Sequence, residues 1–222
     1  MTTLITGATR GIGRGLAETA AQAGEAVIGT HRDGTTPPAL PGVDWAALDL
    51  LDPAAPARLA AGLGDRAIGL LICNAGLYPD KRDRLPEGFA PEDWARTFAV
   101  NVTGVFLTVQ ALLPALERAE APRIAIIASQ MGASSRARGG SYIYRASKAA
   151  AINLGRNLAT DLAPRGISVG IYHPGWVRTD MGGSGADIDV DTAVAGLRAR
   201  FAALGPATTG VFESYDGTPL AF

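Results

Sequence analysis

The sequence predicts a single doubly wound α/β domain over residues 1–222, a central parallel sheet with helices on both faces. Three observations carry this. Short runs rich in Ile, Val and Leu alternate with longer helical stretches, the pattern of βαβ units. A glycine-rich segment follows the first apolar run directly. The length of 222 residues fits one large unit better than two small ones, at roughly 150 residues per domain. No composition shift, internal repeat or biased tract marks a boundary.

Taken in order, the expected strands are Thr3–Thr6, Ala26–Thr30, Ile68–Cys73, Arg123–Ala128, Ser168–Tyr172 and Val211–Glu213. Each is short and almost wholly apolar, as strands covered on both faces should be. The expected helices are Gly13–Gln22, Ala54–Ala61, Trp94–Arg118, Tyr144–Leu162 and Asp191–Leu204. Asp191 reads as a capping residue, and Pro91 and Glu92 suit a first helical turn. Pro122 and Pro164-Arg165-Gly166 punctuate two helix ends. Asp33–Val43 is too rich in Pro and Gly for regular structure and reads as a surface loop, as does Tyr78–Pro91.

Composition excludes several classes. The net charge of −1 gives no field to steer the chain toward nucleic acid or an anionic membrane. The single cysteine, Cys73, cannot form an internal disulfide. No uninterrupted apolar run reaches the roughly 18–20 residues of a membrane helix, and no charged-then-apolar leader opens the chain. The expectation is a soluble cytoplasmic protein. No Cys/His/Asp cluster has metal-ligand spacing, so no metal is expected.

The first strand runs into Thr6-Gly7-Ala8-Thr9-Arg10-Gly11-Ile12-Gly13, then a helical pattern. Glycines there let the backbone turn sharply and approach a pyrophosphate, while the helix N-terminus presents free N–H groups to the anion. A plain glycine turn is the alternative; the strand before and the helix after argue against it.

The spacing is G-x-x-x-G-x-G, and here the segment resembles the T-G-x-x-x-G-x-G loop of the short-chain dehydrogenase/reductase family. Four further segments follow in that family's order: Cys73-Asn74-Ala75-Gly76, Asn101, Ser129 with Tyr144-Arg145-Ala146-Ser147-Lys148, and Pro174-Gly175-Trp176-Val177-Arg178-Thr179. The resemblance spans residue 3 to about 215. The stretches GGSYIYRASKAA, PGWVRTDMGG and the terminal YDG are similar to the C-factor-like carbonyl reductase branch. The resemblance implies a Rossmann-type fold and an NADPH-dependent oxidoreductase that reduces an aldehyde, ketone or quinone, reversible to alcohol oxidation. One departure is Cys73, where the family usually has Asn; a small buried residue is the expected reading, a reactive thiol the sharper one.

By the same resemblance, the cofactor lies along Gly7, Thr9, Arg10, Gly11, Ile12 and Gly13, then His31, Arg32, Asp49 and Leu50. It continues along Asn74, Ala75 and Gly76, Tyr144 and Lys148, and Pro174, Gly175, Val177 and Thr179. Asp33 stands 20 residues beyond Gly13, where a generic rule places the acid that bonds an NAD ribose. The strand tip argues otherwise. His31 occupies the place where NAD-preferring relatives carry an acid, and Arg32 and Arg10 suit a 2′-phosphate. NADP(H) over NAD(H) is expected, with solvated surface arginines as the alternative. Asp49 resembles the family's adenine-contacting acid; a loop cap is its other reading.

Reducing a carbonyl needs hydride on one side and a proton on the other. A phenol with a pKa near 10 serves poorly at neutral pH unless its anion is stabilised. Tyr144 and Lys148, four apart, share one helix face, so the ammonium is expected to lower the phenol's pKa. Ser129 ends the Ile124–Ala128 run, at the sheet edge where ligands collect. Asn101 is a poor helix former inside Trp94–Arg118; the resemblance has it kink that helix and free a carbonyl for a water linked to Lys148. Tyr142 lacks a lysine four residues on and is set aside, and His173 reads as a packing residue.

The resemblance further gives Thr179 and the backbone of Val177 the nicotinamide carboxamide. It makes residues 179–200 a short substrate lid and packs subunits through the two long helices into a homodimer or homotetramer. Trp176, Met131 and Tyr78 are candidate pocket walls or core residues. The partner expected is a small carbonyl or alcohol. The rival class is a cofactor-binding signalling or regulatory protein with little turnover. An epimerase or dehydratase usually needs a substrate domain that this length cannot hold.

Overall fold

The computed structural model describes residues 1–32 and 34–222; Asp33, the residue that would nominate NAD, lies outside the described residues. In chain order the elements are β1 (Thr2–Ile5), α1 (Gly11–Gln22), β2 (Ala26–His31), β3 (Val43–Ala47), α2 (Ala55–Leu63), β4 (Leu70–Cys73) and α3 (Pro91–Phe98). There follow α4 (Gly104–Glu117), β5 (Arg123–Ile127), α5 (Tyr142–Leu162), β6 (Ser168–His173), α6 (Val190–Ala203) and β7 (Phe212–Ser214). The strands form one parallel sheet in the order β3-β2-β1-β4-β5-β6-β7. The doubly wound α/β class read from the sequence is the fold observed.

Side chains along each strand alternate between two cores. Leu4, Ile28, Leu71 and Ile124 pack with Leu59 of α2, Leu112 of α4 and Leu158 of α5. Their neighbours Ile5, Val27, Ile72 and Ala125 pack with Leu16 of α1 and Leu197 of α6 on the other face. Both faces are covered, which is why these strands lack a polar alternate position. Strand order reverses between β1 and β4, and the crevice at that switch point is where such sheets take ligands.

Three sequence expectations need correction. Val43–Ala47 is an edge strand that no expected element covers apart from Val43, the last residue of the expected loop; its residues are half-buried or exposed, so it lacks the apolar run that marks the others. The cap of α6 is Asp189, whose carboxylate accepts from Thr192 N at 2.8 Å, while Asp191 sits in the first turn. The stretch read as one helix over Trp94–Arg118 starts at Pro91 and is interrupted by a π-helical turn, Ala99–Thr103. The whole of Pro91–Glu117, 27 residues, is long and apolar enough to cross a membrane, but half of its most apolar window is buried inside the domain.

Candidate active site

The glycine loop is shaped by close approach. A β-carbon on Gly13 would stand 2.3 Å from the Gly7 carbonyl oxygen and 2.5 Å from Asn74 Nδ2. Gly7 and Gly11 adopt left-handed φ of 67° and 54°, which favours glycine. The buried Thr6 hydroxyl oxygen accepts from Asn74 N at 3.0 Å and Ala75 N at 3.1 Å. Asn74 Nδ2 donates to Thr6 O and Gly7 O at 3.0 and 3.1 Å. The loops after β1 and β4 are thus sewn together across the switch point. Arg10, the cap residue of α1, makes no side-chain capping bond among the described residues, so the first N–H groups of α1 stay available to an anion. A crowded glycine cradle and an uncapped twelve-residue helix fit a dinucleotide pyrophosphate.

At the adenosine end, Arg10 does not stand open: its guanidinium is paired with Asp180 at 2.7 Å. His31 Nδ1 lies 3.0 Å from Arg32 O and its ring meets Trp45 edge-on, while Arg32 is exposed. Asp49 Oδ1 accepts from Leu51 N at 3.0 Å, the loop-capping reading. The Leu50 side chain is buried in the core, which leaves its backbone for ligand contact.

The four catalytic candidates come together at the carboxyl edge of β4 and β5. Tyr144 is 8% exposed, and Lys148 Nζ lies 5.7 Å from its ring centroid, donating to Ile127 O at 2.8 Å. Ser129 Oγ accepts from Met131 N at 3.1 Å, which leaves the hydroxyl proton for another acceptor. Asn101 lies in the π-turn, and its Oδ1 accepts from Leu77 N at 2.7 Å. Its Nδ2 donates to Leu77 O at 2.9 Å and Ser147 Oγ at 3.0 Å; that hydroxyl donates to Tyr144 O at 2.8 Å. Asn101 therefore clamps the loop after β4 to the helix bearing Tyr144.

The electrostatics correct the expected acidification. Burial pushes the Tyr144 phenol up to about 12; the Ser129 hydroxyl pulls it down, and Tyr78 adds to the rise. Burial lowers Lys148 to about 8. In the protein alone, desolvation is the largest influence on the phenol, which keeps its proton at neutral pH. Burial likewise drives Cys73 up to about 12, which makes it an inert packing residue rather than a nucleophile.

On the far side, Gly175 has φ 87°, and a β-carbon there would stand 2.6 Å from Ile188 Cδ1. Thr179 Oγ1 donates to Val177 O at 3.3 Å and accepts from Gly182 N at 3.0 Å. Helix α6 packs on α1, Val190 and Val194 crowding Gly15, so residues 190–200 of the span expected as a lid lie in a packed helix and 179–189 form the loop before it. That loop meets the opposite rim, where Lys81 Nζ donates to Gly182 O at 3.0 Å. A cavity of about 260 Å³ opens between Arg10, Gly76, Tyr78, Asp180 and Met181. Of the candidate walls, Tyr78 stacks on Tyr144 with centroids 4.0 Å apart, and Trp176, 49% exposed, bonds Gly182 O through Nε1. Sequence reasoning missed Thr6, Ser147 and Asp80. The Oδ2 of fully buried Asp80 accepts from Ile143 N at 2.7 Å. Among the described residues, no group of three or more His, Cys, Asp or Glu could hold a metal ion.

The short chain dehydrogenase family model matches residues 1–187. The chain belongs to this family. It is 40% identical over 127 residues to C-signal of Myxococcus xanthus, 57% of this chain and 76% of that protein. Its fold matches carbonyl reductase Sniffer of D. melanogaster with a TM-score of 0.90 at 28% identity, covering 100% and 99% of the two chains. NADPH-bound carbonyl reductase from chicken fatty liver also matches with a TM-score of 0.90, at 29% identity, covering 100% and 98%. These likenesses agree with the C-factor-like branch indicated by the motifs, and the family is one of oxidoreductases acting on small molecules.

Proposed function

We propose that the protein is an NADP(H)-dependent reductase that converts an aldehyde, ketone or quinone to an alcohol with Tyr144 as the proton donor. The observation that carries this is the meeting of Tyr144, Ser129, Lys148 and Asn101 beside a phosphate-binding glycine loop. The N–H groups of Gly11, Ile12 and Gly13 would take the pyrophosphate, with Thr9 beside them. Asn74, Ala75 and Gly76 would flank the cofactor, as would Pro174, Gly175, Val177 and Thr179. Arg32 and Arg10 would take a 2′-phosphate near His31, with the Asp49–Leu50 backbone at the adenine.

Bound there, the dinucleotide would supply the hydride. Ser129 donates its free hydroxyl proton as a hydrogen bond to the substrate oxygen. Tyr144, protonated at neutral pH, gives that oxygen its proton as negative charge develops, and the phenolate is reprotonated from solvent. Lys148, cationic at neutral pH and held over the phenol ring, offsets the phenolate charge. Asn101 keeps the Tyr144 turn in register through Ser147. Exposed Phe106 on α4 and Tyr142 on α5 support subunit packing through these helices as a homodimer or homotetramer.

Similarity to C-signal motivates a second reading, a cofactor-binding signalling protein with little turnover. NADPH consumption over a panel of simple carbonyls separates the two. Turnover abolished by Tyr144→Phe supports the reductase. Tight NADPH binding with no turnover on any carbonyl would leave the second reading.

A further inference from the structure

Helix α5 begins in an unusual way. Residues 139, 140 and 141 all have left-handed φ, at 71°, 66° and 48°, and Ser141 is the single non-glycine among the described residues to do so. Such a conformation is strained for serine, and its side chain gives α5 no cap. The cap comes instead from the loop after β4. Asp80 is 0% exposed, and its carboxylate accepts from Ile143 N at 2.7 Å and Tyr144 N at 3.3 Å. Two residues earlier, the Tyr78 ring lies parallel to the Tyr144 ring, 4.0 Å between centroids and 15° between planes. The Tyr78 hydroxyl pairs with Ser141 Oγ at 2.7 Å.

The segment 78–80 therefore touches the first turn of α5 at its strained residue, its first N–H groups and the phenol ring itself. A plain cap would need only the carboxylate. A fully buried aspartate with no cationic partner among the described residues is costly, and here only main-chain N–H groups and the helix dipole offset its charge. We propose that Asp80 and Tyr78 are positioning residues for the reaction, a clamp that fixes where the Tyr144 phenol stands and keeps a negative charge beside its main chain. This rests on the acid/base reading of Tyr144. The groups facing the phenol are Tyr78 from the clamp, Ser129 from the end of β5, and Lys148 on its own helix, while Asp80 meets Tyr144 at its main-chain N–H.

Asp80→Asn tests it, since the amide oxygen still accepts an N–H while the charge is gone. With NADPH and a turned-over carbonyl, kcat should fall roughly 10-fold, because small misplacement of a proton donor is expensive. NADPH affinity should stay within about twofold. The upper alkaline step of the rate profile, where Tyr144 loses its proton above the Lys148 step at about 8, should move to lower pH by about half a unit or more, as a neighbouring anion is removed. A purely structural cap would change thermal stability and leave that upper step in place. Unchanged kcat together with an unmoved upper step overturns the proposal. If Asp80→Asn does not accumulate folded, Tyr78→Leu decides: kcat falls several-fold if the clamp is real and stays at the wild-type value if it is not. Tyr144→Phe run alongside separates the two readings, because a fully active Tyr144→Phe sinks the acid/base role itself, whatever Asp80→Asn does.

Discussion

Gly132 lies directly beneath the main chain of Lys148: a β-carbon on residue 132 would stand 2.5 Å from the Lys148 carbonyl carbon and 2.6 Å from Ala149 N. The short turn that follows Ser129 is thus wedged under the helix bearing Tyr144 and Lys148. Gly132→Ala must push that helix outward. Overpacking of this kind costs about 1–3 kcal/mol, and Tm should fall by roughly 2–4 °C for each kcal/mol. Turnover should fall further than the stability loss explains, because the displaced residues are the proposed acid/base pair. Calorimetry and steady-state rates on the same preparation check this.

Tyr144→Phe should lower kcat by roughly 10²–10⁴-fold, the worth of a positioned proton donor. NADPH affinity, read by titration calorimetry, should be nearly unchanged. Lys148→Ala should weaken both, since its ammonium lies against the phenol and, in the proposed complex, against the cofactor ribose.

NADPH should give a higher kcat/KM than NADH. Arg32→Ala should narrow that ratio by roughly 10-fold or more, the worth of a charge-assisted bond, while leaving the NADH value within about twofold. Asp180→Asn frees the Arg10 guanidinium from its present partner and should strengthen NADPH binding a few-fold. Equal values for the two cofactors in the wild type would reject the assignment.

Burial, with Arg136 adding to it, lowers His173 to about 4 from an ordinary 6.5, and its Nδ1 has no hydrogen-bond partner among the described residues. The unfolded chain therefore takes up the proton first. Stability should be full above pH 6.5 and decline as pH falls toward 4, by on the order of 3 kcal/mol at the bottom of that window. Below it the carboxylates Asp52, Asp189 and Asp216, all lowered in the fold, extend the loss. His173→Gln should flatten the slope between pH 6.5 and 4 in denaturant titrations.

The sequence shows what is repetitive or crowded. Apolar runs revealed the inner strands because both faces are covered; Val43–Ala47, at the edge and half in water, carries no such run. Gly7, Gly11 and Gly13 were readable because only glycine tolerates their φ or their neighbours. Tyr144 and Lys148 were readable only together with Ser129 and the glycine loop, since their helical spacing alone reads as a surface pair. Asp80 was not, and Tyr78 was readable only as a candidate pocket wall, since both reach α5 from a loop whose path no periodicity encodes. The direction of the phenol's shift was misjudged for a related reason: spacing reports that an ammonium is near, but not how much water the fold removes.

The Arg10–Asp180 contact joins the phosphate loop to the far rim with both side chains more than two-thirds in solvent. A bond so exposed is worth at most about 1 kcal/mol and is screened by salt, whereas the neighbouring Lys81 contacts fall on main-chain carbonyls. The mouth of the crevice is consequently latched at one corner by something that dissolved electrolyte loosens. How firmly that corner holds is therefore a property of the medium as well as of the chain.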